Sequence, residues 1–295
     1  MEISKKLKET RPELSDSTLK TYTSILKSLY KRVFGDEEIK FKNFEKWQDI
    51  IEDFKDKPVS SRKTALSALY VLTGMQKYNE LMRDGIEEYK NGVDKREMND
   101  KQKDAFKTQE EIKDIVEQYK KRADLLYKKN GRTVRDVQDI QDFIILVLTS
   151  GVYIPPRRAE WTKFKIKDID VANDNYIKDG KQFVFNAFKT SNQKGTQVLD
   201  IPSDLKKIIK KWLLINPTPY LLFDVKGDAL NATKLNQRLG KIFGKGFSVN
   251  GLRHSYLSSK YQDTIKLNEK MAEDLEAMGS SKAQEKIYIQ KLPEN

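Results

Sequence analysis

The chain has no cysteine and a single histidine, His254. No disulfide framework or thiolate metal site can form, and a His-based metal cluster or a two-histidine mechanism is excluded. Long apolar runs are also missing. The longest, Phe143 to Leu148, falls far short of the roughly 18 residues a transmembrane helix needs and suits a core helix instead. The opening MEISKKLKE lacks the apolar segment of a secretory signal, so an intracellular location without membrane association is expected. No internal repeat or low-complexity tract is present. Chemistry in this chain must use Arg, Lys, Tyr and carboxylates, and no metal or small-molecule cofactor is expected.

Positive charge, by contrast, is abundant. The 56 Lys and Arg exceed the 44 Asp and Glu, a formal net charge of +12. Such a surplus favours a polyanionic partner, with double-stranded DNA the first candidate, although most lysines must simply solvate helix faces. The 295 residues exceed the usual length of one domain, so two domains are expected, each with its own core.

Periodicity divides the chain. From Ser17 to Phe34 the residues Leu19, Tyr22, Ile25, Leu26, Leu29 and Val33 recur at helical spacing behind the capping candidates Ser15, Asp16 and Ser17. A second pattern runs through Phe44, Trp47, Ile50, Ile51 and Phe54. A third follows Pro58 and ends before Gly74. Tyr22, Tyr30, Trp47 and Tyr70 fit helix cores, not a base-stacking platform. The polar, doubly charged stretch from Asn91 to Lys107 has the composition of an exposed linker. The predicted organisation is a helical domain over 1–97, a linker over 98–107 and a second domain over 108–295.

In the second domain Thr108 and Glu111 form a capping box, and the most apolar helix is expected from Val134 to Thr149. Between Tyr176 and Ile201 the period changes to alternation, with QFVFNAFK and TQVLDIP flanking SNQKG, which predicts a β-hairpin with a polar turn. Helices return at Ser203 to Ile215, Ala232 to Phe243, Gly251 to Gln262, Leu267 to Met278 and Ser281 to Gln290. The expected fold class is mainly α with a small antiparallel β-sheet, α+β.

Breaking a DNA strand without metal requires a nucleophile, cations that offset charge growing on the non-bridging oxygens, and an acid for the leaving 5′ oxygen. Arginine suits the cationic role because its planar fork matches two phosphate oxygens and stays protonated. Two arginines stand in suggestive contexts. Arg157 lies in SGVYIPPRRAEWTKFKIKDID, with Glu160 three positions later, and Arg158 is its immediate rival. Arg253 lies in SVNGLRHSYLSSKY, near a helix start whose amides also favour anions.

These segments resemble the tyrosine recombinases, the phage-integrase-like family. Its first box reads roughly T-G-x-R-x-x-E-L-x-x-L-x-x-x-D-I-D and its second H-x-L-R-H. Here Ser150-Gly151 opens the first match, residues through Pro155 and Pro156 are inserted before Arg157, and the ending Asp168-Ile169-Asp170 is retained. The resemblance implies that Lys189, at Lys-Thr before the hairpin turn, is the general acid, with Lys194 competing on the same hairpin. It implies that Tyr288, on a terminal helix after Met278-Gly279-Ser280-Ser281, is the nucleophile. The match spans roughly residues 108 to 290, and the helical first domain is similar, more loosely, to the family's DNA-clamping domain. Each short motif is common by chance, and the joint order Arg, Lys, Arg, Tyr carries the resemblance.

Two positions depart from the pattern. Asn250 stands where the family has His or Lys, and Ser280 where it has His or Trp. Both can donate a hydrogen bond to phosphate or act as helix caps, but neither shuttles a proton as imidazole does. His254, also counted with the catalytic set, is expected to be a buried histidine bracing its helix, with direct phosphate contact as the alternative. The implied function is site-specific DNA recombination or integration through a 3′-phosphotyrosine, without ATP, with self-association on DNA as a dimer or tetramer. Two alternatives stand beside it: a type IB topoisomerase, which would relax plasmid without sequence preference, and a non-enzymatic DNA-binding relative, which would bind without cleaving. The Lys-, Asn- and Ile-rich composition is compatible with an AT-rich genome of a virus, a mobile element or a bacterium.

Overall fold

Turn and cap residues set most helix limits in the computed structural model, which describes residues 2–35, 38–94, 98 and 100–280. The chain divides into two compact units, residues 1–98 and 99–295.

The first unit is helical. Helices α1 (Ile3–Thr10), α2 (Asp16–Phe34), α3 (Trp47–Glu52), α4 (Val59–Thr73) and α5 (Gln76–Asp94) are joined with a 3₁₀ turn at Phe41–Glu45. Ser15 caps α2 by accepting from the Thr18 amide, and α4 begins after Pro58 and stops at Gly74, which adopts a left-handed φ of 71°. Leu26, Leu29, Phe44, Ile50, Ala68, Leu69 and Tyr78 are fully buried. The expected core aromatics lie in this cluster: Tyr30 is buried, and Tyr22, Trp47 and Tyr70 are partly buried against it. The buried Tyr78 hydroxyl is satisfied, its Oη donating to the Phe44 carbonyl at 2.6 Å. Helix α1 has no counterpart in the sequence reading, because Ile3 and Leu7 are its only buried residues and two apolar positions make no periodicity.

The second unit is mainly helical with a small mixed sheet, hence α+β. Its elements are α6 (Asp100–Asp104), α7 (Gln109–Lys128), α8 (Val134–Thr149), a 3₁₀ turn (Ala159–Lys163), β1 (Phe164–Lys165), β2 (Asn175–Lys178), β3 (Gln182–Phe185), α9 (Ser191–Lys194), β4 (Gln197–Asp200), α10 (Ser203–Ile215), α11 (Ala232–Phe243) and α12 (Val249–Ala277). The stretch expected as exposed linker contains α6, and Ala105 packs against the core of this unit. Capping boxes start both α7, with Thr108 and Glu111, and α8, with Thr133 and Asp136. Each such cap is worth about 1 kcal/mol. Every residue of α8 from Phe143 to Thr149 is buried, so this helix is the centre of the unit.

The sheet has the order β1-β2-β3-β4. Strands β2, β3 and β4 run antiparallel in sequence, but β1 pairs parallel with β2. The sheet is therefore mixed and not antiparallel throughout. The physical reason is the turn through Asp168-Ile169-Asp170, which returns the chain beside β1 in the same direction. Asp168 takes a positive φ of 51°, and Asp170 accepts from the Ala172 amide at 3.0 Å and from Asn173 Nδ2 at 2.7 Å. Trp161, Phe164, Phe183 and Phe185 form a tilted and edge-on aromatic cluster with centroids 4.9 to 6.4 Å apart. Burying each ring contributes on the order of 2 kcal/mol.

The last two predicted helices of this range are one hydrogen-bonded run, α12, interrupted at Tyr261, where φ is −117° and ψ is 20°. It ends at Gly279, φ 68°. There the Ser280 amide donates to the Leu275 carbonyl at 2.8 Å and the Gly279 amide to that of Glu276 at 2.9 Å, a Schellman closure. Among the described residues no helix is long and apolar enough to cross a membrane.

Candidate active site

Four stretches distant in sequence supply the walls of one pocket of about 180 Å³: Pro156, Arg157, Arg158 and Glu160; Phe188, Thr190 and Lys194; Gln197; and Arg253. Each arrives there for a local reason. Arg157 follows Pro155-Pro156, whose rings fix the approach, and precedes the 3₁₀ turn that buries Glu160 and Trp161. Arg253 lies in the first turns of α12, capped by Ser248 through the Gly251 amide at 3.2 Å.

The two arginine elements are tied together by α7. The Lys107 amide donates to Ser255 Oγ at 3.4 Å and the Gln109 amide to Ser259 Oγ at 3.3 Å, both on α12. Gln109 Nε2 also reaches the Ser150 carbonyl at 3.4 Å, at the turn that leads to Arg157. The sequence pattern Ser-Gly before the arginine thus has a packing role in this chain.

The guanidinium of Arg157 lies over the Phe185 ring, with Cζ 3.8 Å from the centroid, and Nη2 donates to Gln197 Oε1 at 3.0 Å. Its Nε is buried without a hydrogen-bond partner, as is Glu160 Oε2. Burial pushes the Arg157 guanidinium below its ordinary pKa; the Glu160 carboxylate opposes this, and the positive charges of Arg158 and Arg253 add to it. Arg157 and Arg253 therefore feel each other's field, and the pocket concentrates positive charge beside a buried carboxylate.

The hairpin expected between Tyr176 and Ile201 contains β3 and β4, but its connection is longer than a tight polar turn and holds α9. Lys189 lies in this loop, exposed, and is not among the residues lining the pocket; Lys194, also exposed, does line it. The loop is anchored at its start by Asn175, which is fully buried. Asn175 Oδ1 accepts from the Asn186 amide at 2.9 Å and the Ala187 amide at 2.7 Å, while Nδ2 donates to the Ala187 carbonyl at 3.0 Å.

Asn250 is exposed, and its Oδ1 accepts from Arg253 Nη1 at 3.4 Å. The cap of α12 is Ser248, not Asn250. The Val249 amide is taken by Asn236 Oδ1 at 3.0 Å and that of Gly251 by Ser248, so the helix start has little backbone left for an anion and the guanidinium must carry that role.

His254 is exposed and not the buried brace expected. The inward positions of this turn are Leu252 and Ser255, both fully buried, and the close approach of the Lys107 backbone favours a small residue there. Ser280 is half-buried, and its amide closes α12. Tyr288 and the expected helix from Ser281 to Gln290 lie outside the described residues.

No family model matches the chain, and no curated protein matches it. What the site can do rests on its own groups. Among the described residues no three or more His, Cys, Asp or Glu side chains converge as a metal site. A pocket walled by three arginines, Arg157, its rival Arg158 and Arg253, and by a lysine suits an oxyanion carrying several acceptor oxygens, of which a phosphodiester is one. Gln197 escaped the sequence reading because a glutamine at the start of a strand carries no signal of its own; its pairing partner Phe185 was the available clue.

Proposed function

We propose that this chain cleaves and rejoins DNA strands through a tyrosine, in the manner of the tyrosine recombinases. The observation that carries the proposal is the convergence of Arg157 and Arg253, far apart in the second unit's sequence, on one pocket that Lys194 also lines. The helical first unit is then a DNA clamp, the second unit the catalytic domain, and the partner double-stranded DNA on which copies of the chain assemble as a dimer or tetramer. The net charge of +12 suits that partner.

In this reading Arg157 and Arg253 hold the scissile phosphate and offset the charge that grows on its non-bridging oxygens. The phenolate of Tyr288 attacks phosphorus, forming a 3′-phosphotyrosine bond as the bond to the 5′ oxygen breaks. A lysine of the loop over 186–196, Lys189 or Lys194, gives its proton to that oxygen. The reverse attack by a 5′ hydroxyl, from the same or a partner strand, restores the phosphodiester and releases the tyrosine. Asn250 orients Arg253, His254 is free to approach the duplex from the exposed face, and Ser280 closes the helix that precedes the tyrosine segment.

The test is a pool of randomised duplexes in which each molecule carries one nick, so that cleavage near it releases a short fragment and traps the covalent complex. The native chain is expected to yield a denaturant-stable adduct, and Tyr288→Phe to abolish it while retaining DNA binding. A native chain that binds the pool without forming any adduct overturns strand cleavage and leaves a DNA-binding protein. Relaxation of plasmid without sequence preference would reassign the same chemistry to a topoisomerase.

A further inference from the structure

We infer that Gln197 is a positioning residue for Arg157, holding its guanidinium through a neutral acceptor so that the positive charge remains available to the phosphate. This inference rests on the strand-cleavage reading above and adds a residue to it.

The geometry is specific. Phe185 and Gln197 are directly paired across β3 and β4, and directly opposed side chains share a face of a sheet. Both touch Arg157: the ring lies under the guanidinium at 3.8 Å and the amide oxygen accepts from Nη2 at 3.0 Å. One cross-strand pair therefore fixes the plane and the rotation of the arginine fork together.

The choice of an amide matters electrostatically. A carboxylate at this position would form an ion pair and offset the cation that the phosphate requires, whereas an amide oxygen orients the fork at no cost in net charge. Glu160 lines the same pocket, but among the described residues it forms no ion pair with Arg157, and its Oε2 has no hydrogen-bond partner. Arg157 is thus held by a π face and a neutral acceptor.

The placement also links two parts of the reaction. The loop over 186–196 leaves β3 after Phe185 and re-enters β4 at Gln197, so the residues that fix the arginine are the two ends of the loop that carries Lys189 and Lys194. The acid and the phosphate clamp share one cross-strand pair as their base.

The experiment compares Gln197→Met, Gln197→Ala, Arg157→Ala and the double variant Arg157→Ala/Gln197→Met with the native chain. The substrate is the nicked duplex recovered from the native chain's adduct. At saturating protein, Gln197→Met and Gln197→Ala are expected to form adduct about tenfold to a hundredfold more slowly, the range a misplaced catalytic group produces, with half-saturating concentration nearly unchanged. The double variant is expected to be no slower than Arg157→Ala alone, because a residue acting only through Arg157 has nothing left to position. Native rates in both Gln197 variants, or a Gln197 effect that multiplies that of Arg157→Ala, would overturn the inference while leaving strand cleavage standing. Absence of an adduct with the native chain would remove the cleavage reading and this inference with it.

Discussion

Gly151 sits against the ring of Tyr256: a Cβ placed on the glycine would lie 2.5 Å from Tyr256 Cδ2. The glycine also adopts a φ of 88°. Both facts oppose any other residue at the turn between α8 and Arg157. Gly151→Ala is expected to destabilise the chain by about 2–4 kcal/mol, from overpacking and left-handed strain together. Denaturant unfolding measures it. Adding Tyr256→Ala should recover part of the loss, and full additivity of the two changes would refute the contact.

Much of this architecture was readable beforehand because local and global signals agree. The limits of α8 and α11 follow from the caps Thr133 and Asn231, those of α10 from Pro202, and all three from the apolar spacing behind them. The arginine segments were visible as motifs. Other features depend on contacts that no local pattern reveals. Strand β1 has two residues, too few for alternation, and its parallel pairing is set by the turn at Asp168. His254 was expected inward, yet the backbone approach of α7 makes Ser255 the inward residue. Gln197 gains its significance from Arg157, distant in sequence.

Asn175 is expected to be the costliest single polar residue of the site to remove. Asn175→Ala would strip acceptors from the Asn186 and Ala187 amides and a donor from the Ala187 carbonyl, a loss of about 2–4 kcal/mol. Thermal unfolding gives the value, and amide exchange should quicken at Asn186 and Ala187. Unchanged exchange at both amides would show that the side chain does not hold the loop.

Acid should reveal the cap of α8. The hydrogen bond and charge of Lys129, with the Thr133 amide and hydroxyl, hold the Asp136 carboxyl at about 2, below its ordinary value. A carboxyl with a depressed folded pKa stabilises above its unfolded pKa, and that contribution disappears as pH falls from about 4 to about 2. The gap in melting temperature between the native chain and Asp136→Asn is therefore expected to be full near neutrality and to close through this window. A gap independent of pH would show that the carboxylate charge is not what the cap uses.

The two loop lysines can be separated by chemistry. Because Lys194 lines the pocket and Lys189 does not, Lys194→Ala is expected to slow strand cleavage by about 10² or more, and Lys189→Ala by less. Replacing the bridging 5′ oxygen of the nicked substrate with sulfur, which departs without needing a proton, should restore the Lys194 variant specifically. Rescue of Lys189→Ala instead would assign the acid to Lys189.

The interruption at Tyr261 has a consequence for everything beyond it. Upstream of that residue, α12 is fastened by Ser255 and Ser259 to the start of α7; downstream, the helix takes its heading from the dihedral angles of Tyr261 and from the burial of Leu275. A change of a few tens of degrees there would re-aim the whole distal half of the helix as a lever, with the arginine end left where it is.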